Sequence, residues 1–393
     1  MTAIFPTTES IPFARTLISL EAREAAMNVL ESGWVTTGPE VQDFESEFAN
    51  YVSSPHAVAV SSCTAAIEIA LRALRLPPNA KVLTSTVTFA GAVHAIVHAG
   101  LRPVLVDVDP ETLMPTPATT AAAVAAEGTA DAMVVLHLAG HPAPVEELAQ
   151  AARLPLGRVI EDAAHALFTK VGSRDVGSIS AATCFSFYAT KNLPIGEGGM
   201  ITTADPEIYE QSRQIRIHGM SSDAWKRYLP GASWKYSIGL DGIKANMTDV
   251  QASIGRAQLR HLDAWQARRT EIALRYDSVL RGIDGLRTPP WPSSGRHAWH
   301  LYILQVDAAF GMSRDAFITI LAERGVHCSV HFVPVHRHPY FARLLGSESA
   351  QRLRVADEAT SRIVSLPLYP TLKDSEVDRI CEEVWSLHQE GGL

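Results

Sequence analysis

The chain has 393 residues, 47% of them hydrophobic, and 34 basic against 42 acidic side chains give a net charge of −8; that is enough apolar material for a sizeable core and two domains. No basic stretch interleaved with aromatics occurs, which argues against a nucleic-acid partner, and no apolar run reaches the roughly 18 residues of a membrane span. The four cysteines (Cys63, Cys184, Cys328, Cys381) lie far apart with no C-x-x-C pair, and MTAIFPTTESIPFART lacks a basic-then-apolar leader pattern, so a reduced, cytoplasmic globular protein is expected.

Taken in chain order, short apolar runs recur at AVAVSS (57–62), KVLTSTV (81–87), PVLVDVD (103–109), AMVVLHL (132–138), RVIEDAA (158–164), ATCFSFY (182–188) and GMITT (199–203). Alanine-rich helical segments such as TAAIEIALRALRL (64–76) and FAGAVHAIVHAG (89–100) lie between them. Strands with little polar alternation, joined by helices, predict a mostly parallel sheet covered on both faces. An irregular stretch follows at 218–246, then one long helix over 246–283 that starts at a Thr248 cap. A strand at HLYILQVD (300–307) and helices at 314–325 and 374–390 complete a smaller α+β unit. The expected division is a large domain over 1–255 and a small one over 256–393.

In open sheets of this kind ligands bind beyond the carboxyl ends of the strands, which directs attention to three places. SSCTAAIEIAL puts hydroxyl residues between a strand and a helix; this is either an ordinary cap by Thr64 or an anion site at the helix N-terminus. VIEDAAHAL ends a strand on Glu161 and Asp162, with His165 three residues on. Asp162 there is either a cap beside a core histidine or a buried carboxylate that needs a cationic partner. Lys191, in FSFYATKN, either extends its ammonium to solvent or serves as a desolvated nucleophilic amine, and the following GEGG offers the backbone freedom that a close-fitting ligand requires. In combination, a phosphate cradle, an acid after a later strand and a lysine after the next one match pyridoxal 5′-phosphate: phosphate at the cradle, Asp162 on the pyridinium nitrogen, and Lys191 joined to the aldehyde as a Schiff base.

These residues resemble the DegT/StrS-type sugar aminotransferases, pyridoxal-phosphate enzymes of fold type I. The resemblance runs through ESGWVTTGPEVQDFE (31–45), SSCTAAIEIAL, VTFAGAVHAIVHAGLRPVLVDVDPETL (87–113), HLAGHPA (137–143), IEDAAHAL (160–167), FSFYATKNLPIGEGGMITT (185–203), NMTDVQASIGRAQL (246–259), HAWHLYIL (297–304) and VSLPLYPTL (364–372), nearly the whole chain. It implies a large α/β/α domain with a mostly parallel mixed sheet, plus a small C-terminal α+β domain. It also implies that Lys191 is the catalytic base, that Phe89 stacks on the cofactor ring, that His165 lies near its phenolic oxygen, and that Ser62, Cys63, Thr64 and Ser186 hold the phosphate. Asn246 would reach the same phosphate from the partner subunit of a homodimer with shared active sites, with Lys244 a weaker candidate. Two features depart from the family pattern: Cys63 stands where glycine is usual, a strain if the backbone there needs φ > 0, and Ile243 and Ala245 replace aromatics of a G-Y-K-Y-N motif.

The implied reaction moves an amino group from an amino acid, glutamate, to a nucleotide-linked 4-keto or 3-keto hexose, with pyridoxamine phosphate as the intermediate form of the cofactor. Thr36, Thr37 and His331 are the expected substrate contacts; Thr36 and Thr37 read equally as caps of the following helix. The histidine-rich HCSVHFVPVHRHPY (327–340) lacks metal-ligand spacing and reads as a substrate-side loop, so no metal is expected. Trp225, Arg227 and Trp234 are further candidates to cover a sugar. The alternatives are a keto-inositol acceptor, a sugar dehydratase, which in this family replaces the lysine by histidine, and a regulatory or scaffold relative. A Rossmann nucleotide enzyme is disfavoured because no G-x-G-x-x-G follows the first strand.

Overall fold

A computed structural model describes residues 10–221, 236–346 and 350–391. The elements through the large sheet are α1 (Leu20–Ser32), α2 (Pro39–Tyr51), β1 (His56–Val60), α3 (Cys63–Ala73), β2 (Lys81–Ser85), α4 (Ala90–His98), β3 (Arg102–Val106), α5 (Pro117–Glu127), β4 (Ala132–Leu136), α6 (Val145–Ala151), β5 (Val159–Asp162), the short hairpin β6 (Lys170–Val171) and β7 (Arg174–Asp175), β8 (Ala182–Ser186), β9 (Gly199–Thr203) and α7 (Pro206–Ile215). All seven apolar runs are strands of one sheet, in the order β1-β9-β8-β5-β4-β2-β3. β9 runs antiparallel to both neighbours, and the other pairings are parallel, so six strands share one direction.

The apolar runs are long because both faces are covered. Val58, Val60, Val82, Val134, Ile160 and Ile201 pack under α3, α4 and α7. Leu83, Val104, Met133 and Val135 face α5 and α6, and Ala57, Ala59, Phe185 and Met200 face α2. The two-residue period of a strand then sends neighbouring side chains to opposite layers. In β5 this turns Asp162 toward the α3 layer, where Cys63 meets it, and Glu161 the other way, where His137, Ser180 and Thr183 donate to its carboxylate.

The remaining elements are α8 (Asp249–Leu259), α9 (Leu262–Leu280), β10 (Leu286–Arg287), β11 (Tyr302–Val306), α10 (Arg314–Glu323), α11 (Pro339–Leu345), helix Arg354–Thr360, β12 (Ile363–Leu366) and helix Asp374–Gly391. β10, β11 and β12 form a second, antiparallel sheet, with its own core of Tyr276, Leu280, Leu304, Phe317, Val364 and Val384. The single helix expected over 246–283 is instead two, broken at Arg260–His261. The halves serve different cores: α8 lies against α1 and α2, whereas Ile272, Ala273 and Tyr276 of α9 enter the second core. The Thr248 cap is present as a full capping box with Gln251. The division expected after residue 255 falls within α8. Moreover, the N-terminal segment crosses to the second unit, where Ile11 donates its N–H to Gly325 and accepts from His327.

The glycines after Lys191 have a different reason from the one expected. A Cβ on Gly199 would lie 2.5 Å from the Ser62 carbonyl carbon and 2.8 Å from the Cys63 nitrogen. Both are backbone atoms at the start of α3, which cannot turn aside, so β9 can pass only as glycine. Only Gly196, at φ 101°, uses the left-handed freedom. Gly199→Ala is expected to lower stability by about 2 kcal/mol in urea unfolding and to displace the α3 N-terminus, weakening phosphate binding as well.

Candidate active site

Six strands end on one edge of the sheet, and there a cavity of about 460 Å³ opens. Its floor holds Ser62, Cys63, Thr64, Asp162, Ser186 and Lys191; across from them lie Phe13, His300, His331, Phe332 and Leu368, brought by the N-terminal segment and the second unit. The cofactor residues expected from this chain therefore converge, while Asn246, expected from a partner subunit, is not among them.

At the start of α3 the N-cap is Ser62, not Thr64: its Oγ accepts from the Ala65 N–H at 3.1 Å. Cys63 is the first helical residue, so the suspected φ > 0 strain does not arise. The first N–H groups of a helix have no intrahelical acceptor, and those of Cys63 and Thr64 make no bond among the described residues. The Thr64 hydroxyl sits against Gly91, where an added Cβ would lie 2.5 Å from it. The Ser186 Oγ accepts from the Tyr188 N–H at 3.3 Å, which leaves its own proton free to donate. Unspent donors at the positive end of an 11-residue helix fit a phosphate group.

Asp162 is 5% exposed. Burial raises its pKa, opposed by the Ala164 N–H, which donates to Oδ1 at 3.0 Å, and by the charge of Lys191. Its Oδ2 has no hydrogen bond among the described residues. A buried carboxylate with a bare oxygen facing a cavity fits a protonated ring nitrogen. Lys191 follows β8 in the turn closed by its own N–H to the Tyr188 carbonyl, at 2.9 Å. Burial lowers its pKa to about 8, against the raising influence of Asp162 and Cys63. It is thus a nucleophile in waiting rather than a surface cation, and the whole donor set suits pyridoxal phosphate.

Two neutral histidines have fixed tautomers. His165 accepts the Ala139 N–H on Nδ1 at 3.2 Å, so Nε2 carries its proton. Its ring stacks on Phe332, with centroids 5.8 Å apart, and lies 4.4 Å from the His300 ring. The Asn192 amide donates to Gln266 and to the Ala298 carbonyl, so its oxygen must accept from Nδ1–H of His300, at 2.9 Å. His300 Nε2 is therefore an acceptor. Burial, reinforced by Lys191, pushes both rings well below the usual histidine range. His300 and Asn192 were not singled out from the sequence; the second histidine of HAWHLYIL was the available signal. Phe13 left none, since nothing local marks it as cavity-facing.

The other candidates are distributed as follows. Phe89, 63% exposed, stands at the cavity edge as the N-cap of α4. His331 lines the cavity, bonds Ser365 Oγ at 2.9 Å, and is lowered to about 4 by burial and then Lys191. Thr37 turns away from this chain's cavity: its hydroxyl donates to the Met247 carbonyl at 2.6 Å and accepts from Asn246. Neither Thr36 nor Thr37 caps α2; the Asp249 carboxylate does, holding the N–H groups of Gly38, Glu40 and Val41. Asn246, also bonded by Lys244, lies outside the same cavity. In the histidine-rich stretch His336 bridges Thr86 and Asp357, and His327 meets Ser10. Trp225, Arg227 and Trp234 lie outside the described residues. Among the described residues no helix is long and apolar enough to cross a membrane.

The model of the DegT/DnrJ/EryC1/StrS aminotransferase family matches residues 17–385. The chain is 45% identical over 376 residues to the spore coat polysaccharide biosynthesis protein SpsC of Bacillus subtilis (strain 168), covering 95% of this chain and 96% of that one. Its fold is similar to the putative sugar aminotransferase Spr1654 from Streptococcus pneumoniae in its PMP form, with TM-score 0.88, 29% identity, and 97% and 100% of the two chains covered. S. venezuelae DesV, solved in complex with a ketimine intermediate, is similar at TM-score 0.84 and 30% identity over 96% and 99%.

With Lys191 neutral above about 8 rather than above its ordinary 10.5, capture of added pyridoxal phosphate by cofactor-free protein should quicken about tenfold per pH unit up to that point, then level. Stopped-flow absorbance checks the profile. Borohydride trapping followed by mass spectrometry should place the label on Lys191.

Proposed function

The chain belongs to the DegT/DnrJ/EryC1/StrS aminotransferase family, and from that premise we propose that it carries an amino group from glutamate to the carbonyl carbon of a nucleotide-linked keto-hexose. The observation that carries this reading is Lys191: a buried amine with a lowered pKa, sharing a cavity with the bare Oδ2 of Asp162 and the unspent donors of α3. A dehydratase would lack the lysine, and a scaffold would have no need to hold it desolvated. SpsC is named for polysaccharide biosynthesis, which favours a nucleotide sugar over a cyclitol.

Pyridoxal phosphate, when bound, would supply an aldehyde to hold the amino group and a ring to withdraw electrons from the neighbouring carbon. The protein does the rest. The N–H groups of Cys63 and Thr64, with the Thr64 and Ser186 hydroxyls, fix the phosphate. Asp162 Oδ2 keeps the ring nitrogen protonated. Phe89 covers one ring face, and His165 offers its Nε2–H at the ring edge. Lys191 Nζ takes the α-proton of the amino-acid donor, and in the second half returns a proton to the carbon that becomes the amine. The neutral histidines leave Lys191 as the base of choice, because their low proton affinity suits them to orient hydrogen bonds instead. His331 and the facing wall from the second unit would meet the sugar.

We assign the working form to a homodimer. Asn246 and Thr37 form a bonded pair away from this chain's own cavity, and Leu20, Met27, Leu30 and Val35 leave a large apolar surface on and after α1. A second copy would cover that surface and bring Asn246 to the neighbouring phosphate.

Two experiments test this. UDP-, dTDP- and GDP-keto-hexoses and a keto-inositol are offered with glutamate, and 2-oxoglutarate release is followed. Turnover with a nucleotide sugar and ping-pong kinetics are expected; turnover with the cyclitol alone would replace the acceptor. Mixing inactive Lys191→Ala and Asn246→Ala proteins, after subunit exchange, should restore about a quarter of wild-type activity, because half of the mixed dimers' sites are intact. No recovery would mean that the sites are not shared.

A further inference from the structure

We propose that Cys63 is a positioning residue for Asp162: its thiol ties one carboxylate oxygen and leaves the other bare for the cofactor's ring nitrogen. The proposal rests on the assignment of Asp162 to that nitrogen and deepens it.

The family resemblance groups Cys63 with the phosphate-holding residues, but only its backbone N–H is placed for that role. The first turn of α3 drives the side chain beneath the cavity floor, into the layer of Ala66, Ile160 and Cys184. There Sγ lies 3.7 Å from Asp162 Oδ1 and 3.4 Å from the Cys184 carbonyl oxygen. Both residues are nearly sealed from water, Cys63 at 9% exposure and Asp162 at 5%. Burial and the adjacent carboxylate push the thiol well above its usual range, so it keeps its proton.

One S–H proton faces two acceptors, and the Cys184 carbonyl is the nearer. Each already takes one backbone N–H, the carbonyl from Ala163 at 2.8 Å and Oδ1 from Ala164 at 3.0 Å, so charge separates them and occupancy does not. If the proton went there, the sulfur lone pairs would face an ionised carboxylate across a low-dielectric gap. Directed to Oδ1, it makes a charge-assisted bond, the stronger choice. Oδ1 then accepts from two sides, from Cys63 and from the Ala164 N–H at 3.0 Å. The torsion that turns an aspartate carboxylate is broad and nearly two-fold, so a single tie would let the group swing. Two ties hold its plane with Oδ2 toward the cavity.

The test uses wild-type protein, Cys63→Ala, which removes the donor, and Cys63→Ser, which keeps one, each also in an Asp162→Asn background. Pyridoxal phosphate is the probe. Its dissociation constant and the pH titration of the bound cofactor's visible absorbance are the readouts. Cys63→Ala should weaken binding about three- to tenfold and shift the titration, because the carboxylate remains but loses one of the two ties that aim it. Cys63→Ser should recover most of that loss. With Asp162→Asn already present, Cys63→Ala should change little, since the two residues act as a unit. A merely packing role would weaken binding just as much in the Asp162→Asn background. Equal binding and titration in wild type and Cys63→Ala, or an undiminished effect with Asn at 162, overturns the proposal while leaving the cofactor reading intact. Wild-type protein that takes up no pyridoxal phosphate overturns both.

Discussion

Asp162 and Lys191 are opposite charges buried in one cavity, yet they form no ion pair with each other. Each lacks what would satisfy it: the carboxylate has an oxygen with no donor, and the amine has no acceptor among the described residues. Direct contact would neutralise both and leave nothing to attract a ligand. Held apart, they leave a gap whose ends are negative and amine-bearing, and a flat cationic ring with an aldehyde answers both. The desolvation that makes this arrangement costly in the empty protein is what lowers the Lys191 pKa, so the price in stability and the gain in reactivity share one cause.

The surrounding structure keeps that gap open. β5 and β8 are adjacent parallel strands, so Asp162 at the end of one and Ser186 at the end of the other reach the same rim. The turn after β8 carries Lys191 over the rim, and the chain returns as β9, antiparallel, between β8 and β1. That return runs hard against the first residues of α3, where a side chain on Gly199 would not fit. The first amides of α3 and the turn that bears Lys191 are thereby pinned to each other through backbone contact. Helix α9 holds the opposite wall: Arg269, buried with no carboxylate partner among the described residues, donates to the carbonyls of Trp299, His300 and Leu368, which flank the cavity. The N-terminal segment closes the side, with Ile11 on the second unit, Phe13 stacked on His331, and Thr16 bonded to the Ala189 carbonyl beside Lys191.

Where the sequence reading was right, the signal was local. Each apolar run is a strand because burial on both faces demands continuous hydrophobicity, and Ser62, Asp162, Ser186 and Lys191 line one cavity because the strand ends that carry them meet at one edge of the sheet. Where it erred, the cause was at a distance. Thr64 reads as a cap by residue type, but the geometry of the strand end makes Ser62 the cap. No proline or glycine marks the break at Arg260–His261; it exists because α8 and α9 belong to different cores. Thr36 and Thr37 lie just ahead of α2, yet a carboxylate more than 200 positions away caps it.

The amino-acid order alone determined the layered sheet, the strand-end placement of Ser62, Asp162 and Lys191, and through them the cofactor chemistry, because periodicity and strand termini depend on neighbours a few residues apart. Tertiary structure alone decided which atoms meet: the Cys63 thiol on Asp162, the tautomers of His165 and His300, the lowered Lys191, and the wall built by Phe13 and His331. Those outcomes depend on packing between segments remote in the chain and on the exclusion of water from the space between them, and neither is written in any local pattern.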